Sequence, residues 1–156
     1  MIAQRSLRNL VLGVAVLALA ACASDPMRSA SHGNETVGDR AVSIALDQVG
    51  TPYRYGGNTP RGFDCSGLIH YAYREAGLSV PRTTAQLWSA TEAVGTRELQ
   101  AGDLLFFSIE GKMSHVGLYV GGKRFVHAPQ SGRTVEVTSM DMPFYRAALV
   151  RAGRLY

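Results

Sequence analysis

A single cysteine lies at the predicted start of a helix, in the segment 64–67 that reads Asp-Cys-Ser-Gly, and two histidines follow it at positions 115 and 127. A thiol is a nucleophile only as the thiolate, and the free N–H groups and partial positive charge of a helix N-terminus stabilise that anion. One imidazole can take the proton, and a second can orient the first. These residue types predict a hydrolase with Cys65, His115 and His127 as its catalytic residues. They also predict a lowered Cys65 pKa, with the sulfur within bonding range of His115.

Three helices and a set of strands must position these residues. Asp64 is the expected N-cap of a helix over 65–76, with no part in the chemistry. Apolar spacing predicts an earlier helix over 40–49, capped by Asp39, and a weaker helix over 84–90. Beyond these helices the pattern alternates, which predicts strands over 104–108, 115–120, 124–128, 134–138 and 146–151. Helices first and strands later indicate an α+β domain, with N-terminal helices packed on an antiparallel sheet of about five strands.

The turn between the two histidine-bearing strands decides whether the imidazoles can meet. A two-residue turn at Gly121 and Gly122 would place His115 and His127 on opposite faces, because side chains alternate along a strand. An odd loop centred on Gly121, with Gly122 left-handed in a bulge, would pair the two histidines directly on one face. We predict the odd loop and a contact between the imidazoles.

A tetrahedral oxyanion would also need hydrogen-bond donors. The backbone N–H of Cys65 at the helix start is one candidate, and a tyrosine hydroxyl from the Gly-rich loop over 51–62 is another. Tyr53 and Tyr55 both lie in that loop. The residues by themselves leave the choice between them open.

The N-terminus has the charged, apolar and small-residue regions of a secretory signal. Residues 1–21 are expected to be a lipoprotein signal peptide, because the ending Leu-Ala-Ala-Cys resembles a lipobox. Cys22 would then be the lipidated first residue of the mature protein. The small, polar segment 22–37 reads as a flexible tether, and 38–156 as one domain. The residue after Cys22 is Ala23 rather than aspartate, which favours the periplasmic face of the outer membrane.

Charge and cysteine usage narrow the function classes further. The chain has 16 basic and 12 acidic residues, and without 1–21 its net charge is about +2. The charges are interspersed, which argues against a nucleic-acid partner. With Cys22 lipidated, Cys65 is left as a free thiol in an oxidising compartment, and such a thiol is a candidate reactive group.

Six short motifs in one order resemble the NlpC/P60 family of cell-wall peptidases, which has a papain-like fold, and the resemblance spans 38–152. By position, it implies that Cys65 is the nucleophile, His115 the base and His127 the orienting residue. It also matches Tyr53, and not Tyr55, to an active-site tyrosine. The motifs are GTPYRYGG at 50–57, GFDCSG at 62–67, PRTT at 81–84, AGDL at 101–104, SHVG at 114–117 and FVHA at 125–128.

The resemblance implies hydrolysis of amide bonds in peptidoglycan stem peptides or their cross-links, through a thioester and without a metal or organic cofactor. Within the family, the features most resemble a single-domain murein endopeptidase lipoprotein, held at the membrane by its lipid. Relatives cut either the D-alanyl to diaminopimelate cross-link or the γ-D-glutamyl to diaminopimelate bond. Both substrates carry carboxylates, for which Arg54, Arg61 and Arg82 are candidate ligands, with Ser66 beside the nucleophile.

Two other interpretations fit the same residues. A non-catalytic envelope lipoprotein could use the groove only to bind wall peptides or another envelope protein. Alternatively, Cys65, His115 and His127 could be three ligands of a zinc ion. The nucleophile pattern explains the same three residues and is the interpretation we favour.

Overall fold

A computed structural model of the protein describes residues 35–156. The predicted signal peptide over 1–21, the lipidation site Cys22 and nearly all of the tether lie outside the described residues. Within 35–156, every helix is too short or too polar to cross a bilayer. The first helix, α1, begins at Val37, the last residue assigned to the tether.

The three predicted helices all form, and all precede the six-stranded sheet in the chain, with a short two-stranded ribbon between the first and the second helix. Helix α1 spans Val37–Leu46, α2 spans Cys65–Glu75, and α3 spans Thr84–Ala90. The cap of α1 is Thr36, and the prediction of Asp39 is wrong. The Thr36 hydroxyl accepts the Asp39 N–H at 3.1 Å and the Asp39 carboxylate accepts the Thr36 N–H at 3.0 Å. This reciprocal capping box satisfies two backbone donors, which a cap at Asp39 would not.

The strands form a six-stranded antiparallel sheet in the order β3-β8-β4-β5-β6-β7, beside a two-stranded ribbon of β1 and β2. The α+β class is therefore confirmed, with one strand more than the expected five. The strands are β1 Asn58–Thr59, β2 Gly62–Phe63, β3 Glu92–Val94, β4 Leu104–Ile109, β5 Lys112–Gly121, β6 Arg124–His127, β7 Glu136–Ser139 and β8 Leu149–Arg154.

The C-terminal part of the sheet differs most from the prediction. The alternating pattern predicts a strand over 146–151, but a short helix α4, Pro143–Ala148, comes first and β8 begins only at Leu149. Proline suits the first turn of a helix, because its fixed φ is already helical and no N–H is needed there. The additional strand β3 has only three residues and pairs with β8 at the edge of the sheet.

Apolar side chains cover both faces of the central strand β4. Leu104 and Phe106 join the core formed with α1, α2 and α3, while Leu105 and Phe107 join a smaller cluster on the other face. This is why β4 has a continuous apolar run and not an alternating one. Phe107 pairs with His115 across the sheet, so His115 projects from the face of the smaller cluster.

Candidate active site

Cys65 is the first residue of α2, and Asp64 holds the turn in front of it. The Asp64 carboxylate accepts the Gly67 N–H at 2.7 Å and the Gly56 N–H at 2.9 Å. The first bond is the N-cap that the sequence predicts. The second ties the Gly-rich loop to the helix start, so one carboxylate fixes both sides of the cleft in which Cys65 lies.

The sulfur of Cys65 lies beside β5, where β6 has ended. The Sγ atom donates to the Ser114 carbonyl at 3.9 Å and contacts the Thr84 hydroxyl at 3.8 Å. No hydrogen bond joins Sγ to His115 in the part of the chain that the structure describes, so the predicted direct bond is not formed. The thiol is therefore hydrogen-bonded to the backbone of β5 at Ser114, the residue that precedes His115 in the sequence.

The predicted lowering of the Cys65 pKa is also wrong in direction. Burial raises the pKa of the Cys65 thiol, and hydrogen bonds from the backbone of Val116 and Ser66 and from the Thr84 hydroxyl lower it only in part. A helix N-terminus favours the anion, but removal of the sulfur from water disfavours it more. The thiol of the unliganded protein is therefore protonated near neutral pH.

The two imidazoles do meet, although the turn differs from the predicted one. Gly121 pairs with Arg124, which makes a two-residue turn of Gly122 and Lys123, both with φ of 57°. The register shifts between Tyr119 and Gly121, because a bulge adds one residue there. The predicted odd loop and direct pairing are therefore wrong, but the bulge restores the parity and brings both histidines to one face.

The contact between the imidazoles is short and buried. His115 Nε2 and His127 Nδ1 are 2.8 Å apart, and the rings are 5% and 0% exposed. Burial lowers the pKa of His115 to about 4. Burial, with smaller contributions from His115 and Arg133, lowers the pKa of His127 to about 3. Both rings are therefore neutral near pH 7, and each carries one N–H.

Two further polar residues, Thr138 and Glu136, extend this contact, and the sequence pattern does not indicate them. His127 Nε2 lies 3.1 Å from the Thr138 hydroxyl and 3.6 Å from a Glu136 oxygen. Glu136 also accepts from Arg133 at 2.6 Å. In sequence, Glu136 and Thr138 look like ordinary polar positions of a half-exposed strand. Only the register that pairs His127 with Glu136 would have revealed them.

Two clefts flank the thiol and the imidazoles. The first, of about 480 Å³, exposes Cys65 and is lined also by Tyr53, Tyr55, Arg82 and Thr83, among others. The second, of about 400 Å³, is lined by His115, Gln130, Glu136, Thr138 and Tyr145, among others. The two clefts are adjacent, since Ser114 lines the first and its neighbour His115 lines the second. A peptide bound in an extended conformation could therefore contact both Cys65 and His115.

The remaining predicted site residues divide into those that face the cleft and those that do not. Tyr53 and Tyr55 both line the first cleft, but Tyr53 is partly buried whereas Tyr55 is 89% exposed. Ser66 also borders the cleft, but its hydroxyl donates to Asp64 at 3.3 Å. Arg54 and Arg61 are exposed side chains outside both clefts.

Arg82, a candidate ligand for substrate carboxylates, borders the first cleft but already binds groups of the protein itself. Its two terminal nitrogens donate to both Asp64 oxygens at 2.9 and 2.7 Å, to the Ser66 hydroxyl at 3.0 Å and to the Gly57 carbonyl at 3.2 Å. A planar guanidinium matches a carboxylate in this bidentate way. The partner it clamps is the capping carboxylate of α2.

Metal ligation gains no support from the arrangement. Within residues 35–156, no three or more His, Cys, Asp or Glu side chains are grouped closely enough to hold a metal ion. A zinc site needs such a group, since its ligands bind directly at about 2.0–2.3 Å.

Comparison with known proteins gives consistent matches. The NlpC/P60 family model matches residues 50–154. The chain is 38% identical over 121 residues to murein DD-endopeptidase MepH of Escherichia coli K12, covering 74% of this chain and 45% of MepH. It is 37% identical over 134 residues to the bifunctional muramidase/DL-endopeptidase CwlT of Bacillus subtilis 168, covering 83% and 39%. A crystal structure of an NlpC/P60 family protein from Bacillus cereus superposes with a TM-score of 0.71 at 32% identity, covering 76% and 40%. The chain thus spans less than half of each of these relatives.

Proposed function

Because the chain belongs to the NlpC/P60 family, we propose that it hydrolyses amide bonds of peptidoglycan stem peptides or their cross-links through the Cys65 sulfur. The observation that carries the proposal is a free thiol at the N-terminus of α2, open to a cleft and one residue along the strand edge from a buried imidazole pair. A thiol, a base and an orienting group are the components of covalent acyl transfer. MepH and CwlT are named as endopeptidases, and each aligns with this chain over part of its length.

The reaction begins with a neutral thiol and a neutral imidazole. As the Sγ–carbon bond forms at the substrate carbonyl, the Sγ proton passes to His115, which becomes an imidazolium. The intermediate then collapses, the carbon–nitrogen bond breaks, and His115 returns the proton to the leaving amine. Water attacks the thioester next, with His115 again taking and returning a proton, so that a carboxylic acid and the free thiol are formed.

The first cleft offers donors for the oxyanion of the tetrahedral intermediate. The Cys65 backbone N–H lies at the start of α2, where helical N–H groups have no partner in the helix. Tyr53 lines the same cleft, and burial raises the pKa of its hydroxyl, so the hydroxyl remains a donor at neutral pH. Tyr53 and the Cys65 N–H together form the proposed oxyanion hole.

Substrate recognition and location complete the proposal. Arg54 and Arg61 are exposed and can reach a carboxylate of a stem peptide, whereas Arg82 and Ser66 support Asp64. Residues 1–21 act as a signal and Cys22 carries the lipid, which holds the domain in the bacterial envelope at the outer membrane, facing the periplasm. Either the D-alanyl cross-link or the γ-D-glutamyl bond is the target, and an envelope protein is a further candidate partner.

One observation favours the non-catalytic alternative. Among the described residues, Sγ is hydrogen-bonded to Thr84 and Ser114 and has no hydrogen bond to His115, and burial raises the pKa of the thiol. Digestion of purified muropeptides separates the two functions, with products identified by mass and Cys65→Ser as the matched control. We expect cleaved stems or cross-links with the wild type alone, and the masses identify the bond. Identical products from the wild type and from Cys65→Ser would refute the proposed hydrolase activity.

A further inference from the structure

The proposed mechanism makes no use of the groups on the far side of His127. Its Nε2 atom lies 3.1 Å from the Thr138 hydroxyl, and that hydroxyl donates to a Glu136 oxygen at 3.4 Å. His127 and Thr138 are buried, with 0% and 7% exposure. The four groups form one continuous chain of hydrogen bonds, from His115 through His127 and Thr138 to Glu136.

The carboxylate at the end of this chain gives every proton in it a direction. An ionised carboxylate only accepts, so the Thr138 hydroxyl donates to Glu136 and offers a lone pair to His127. His127 then carries its proton on Nε2, which leaves Nδ1 as an acceptor. His115 must donate from Nε2, and its Nδ1 therefore carries no proton.

We propose that Thr138 and Glu136 are positioning residues that hold His115 in the tautomer with Nδ1 free, ready to take the Cys65 proton. Nδ1 is the only ring nitrogen left for the thiol, since Nε2 is bonded to His127. If every hydrogen bond in this series ran in the opposite direction, His115 Nδ1 would carry a proton and could not act as a base. This role rests on the proposed function of Cys65 as nucleophile, whereas the tautomers themselves do not depend on any substrate.

Burial explains why the hydroxyl is needed and a methyl group would not replace it. His127 packs against Phe125 and Tyr145, with ring centroids 4.8 and 5.3 Å away. A buried N–H without an acceptor loses its hydrogen bond to water and gains none in return. In Thr138→Val the shape is kept, but the Nε2–H of His127 loses its nearest acceptor, and the opposite tautomer becomes competitive.

The test combines a spectroscopic and a kinetic measurement on Thr138→Val, Thr138→Ser and Glu136→Gln. Ser139→Ala is the matched control, because it removes a hydroxyl from the same strand. Within residues 35–156 that hydroxyl is hydrogen-bonded to the Asp141 N–H and is not part of the histidine chain. Nitrogen-15 NMR of the histidine rings, recorded in a Cys65→Ser background, reports the tautomers directly. Turnover of muropeptides gives kcat and KM.

We expect both buried rings of the parent to carry their proton on Nε2. Thr138→Val should show mixed tautomers and a kcat about 10- to 100-fold lower at an unchanged KM. Thr138→Ser should have the tautomers and the kcat of the parent, because it keeps the hydroxyl. Glu136→Gln should have a kcat between those of Thr138→Val and the parent, and Ser139→Ala should match the parent in both measurements. A proton on Nδ1 of His115 in the parent would overturn the proposal, as would a Thr138→Val with unaltered tautomers and kcat. A parent that hydrolyses no murein but has the expected tautomers would refute the proposed function and leave the proton order supported.

Discussion

Acid should destabilise this protein through its two buried imidazoles. The pKa of His115 falls from 6.5 to about 4 because burial disfavours the charged ring. In the unfolded chain the same ring titrates near 6.5. As the pH falls, the unfolded state binds the proton first, so the stability present above pH 6.5 is lost progressively down to the folded pKa.

The size of the effect follows from the two pKa values. Each pH unit between them corresponds to about 1.4 kcal/mol, so His115 alone accounts for about 3 kcal/mol once the pH is well below 4. Between pH 7 and pH 4.5 the loss is about 2.5 kcal/mol. No correction for solvent screening is needed, because the ring is only 5% exposed. A typical domain is stable by about 5–15 kcal/mol, so the loss is easily measured.

His115→Gln removes the titrating ring and keeps a polar side chain. Urea unfolding of the wild type and the variant at pH 7 and pH 4.5 gives the difference in their free energies of unfolding at each pH. Carboxylates titrate in both proteins and cancel in this difference. We expect the difference to move in favour of the variant by about 2.5 kcal/mol on going to pH 4.5. A difference that stays constant within about 0.5 kcal/mol would contradict a neutral, buried His115.

Three further predictions concern the nucleophile and its support. Iodoacetamide should alkylate Cys65 slowly near pH 7 and faster as the pH rises, because burial raises the pKa of the thiol. An alkylation rate that is already maximal at pH 7 would indicate a preformed thiolate and contradict this prediction. Gly67→Ala should prevent stable folding or displace the loop before α2, since a Cβ there would lie 1.9 Å from the Gly57 carbonyl oxygen. In the Gly111→Ala control the new Cβ meets no atom within 4 Å, so the cost should be only the strain of a positive φ of 75°, about 1–2 kcal/mol. Equal melting temperatures of the two variants would contradict this packing. Arg82→Gln should lower the free energy of unfolding by about 2 kcal/mol and leave KM unchanged, because Arg82 binds Asp64. Arg54→Gln should instead raise KM and leave the free energy of unfolding unchanged. Urea unfolding and steady-state kinetics measure both properties, and the reverse outcome would make Arg82 the substrate ligand.

Local signals account for the elements that the sequence predicts well. Helix α2 begins at Cys65 as expected, because Asp64 acts as cap within a few residues. The additional strand β3 is defined by its pairing with the distant β8, which a window of sequence does not contain. Helix α4 does have a local signal, Pro143 in its first turn, but the alternating pattern favours a strand there. The His115–His127 contact is predicted, but the bulge that produces it is misplaced by the turn rules, because Lys123 adopts a positive φ that glycine usually supplies.

The candidate site shows the same division. Cys65, His115 and His127 stand out by residue type, whereas Glu136 and Thr138 acquire meaning only through the pairing of β6 with β7. The expected direction of the Cys65 pKa is wrong because the helix N-terminus is a local feature and burial is a property of the whole fold. Sequence reasoning identifies the reactive groups better than it predicts their protonation.

Trapping of the acyl group tests the central claim, a thioester on Cys65, most directly. Muropeptides are digested in rising concentrations of hydroxylamine, and the products are identified by mass. We expect the carboxylic acid product to be replaced progressively by its hydroxamate, because hydroxylamine competes with water for a thioester, and we expect neither product from Cys65→Ser. Formation of the free acid alone at every hydroxylamine concentration, or hydroxamate formation by Cys65→Ser, would contradict the account.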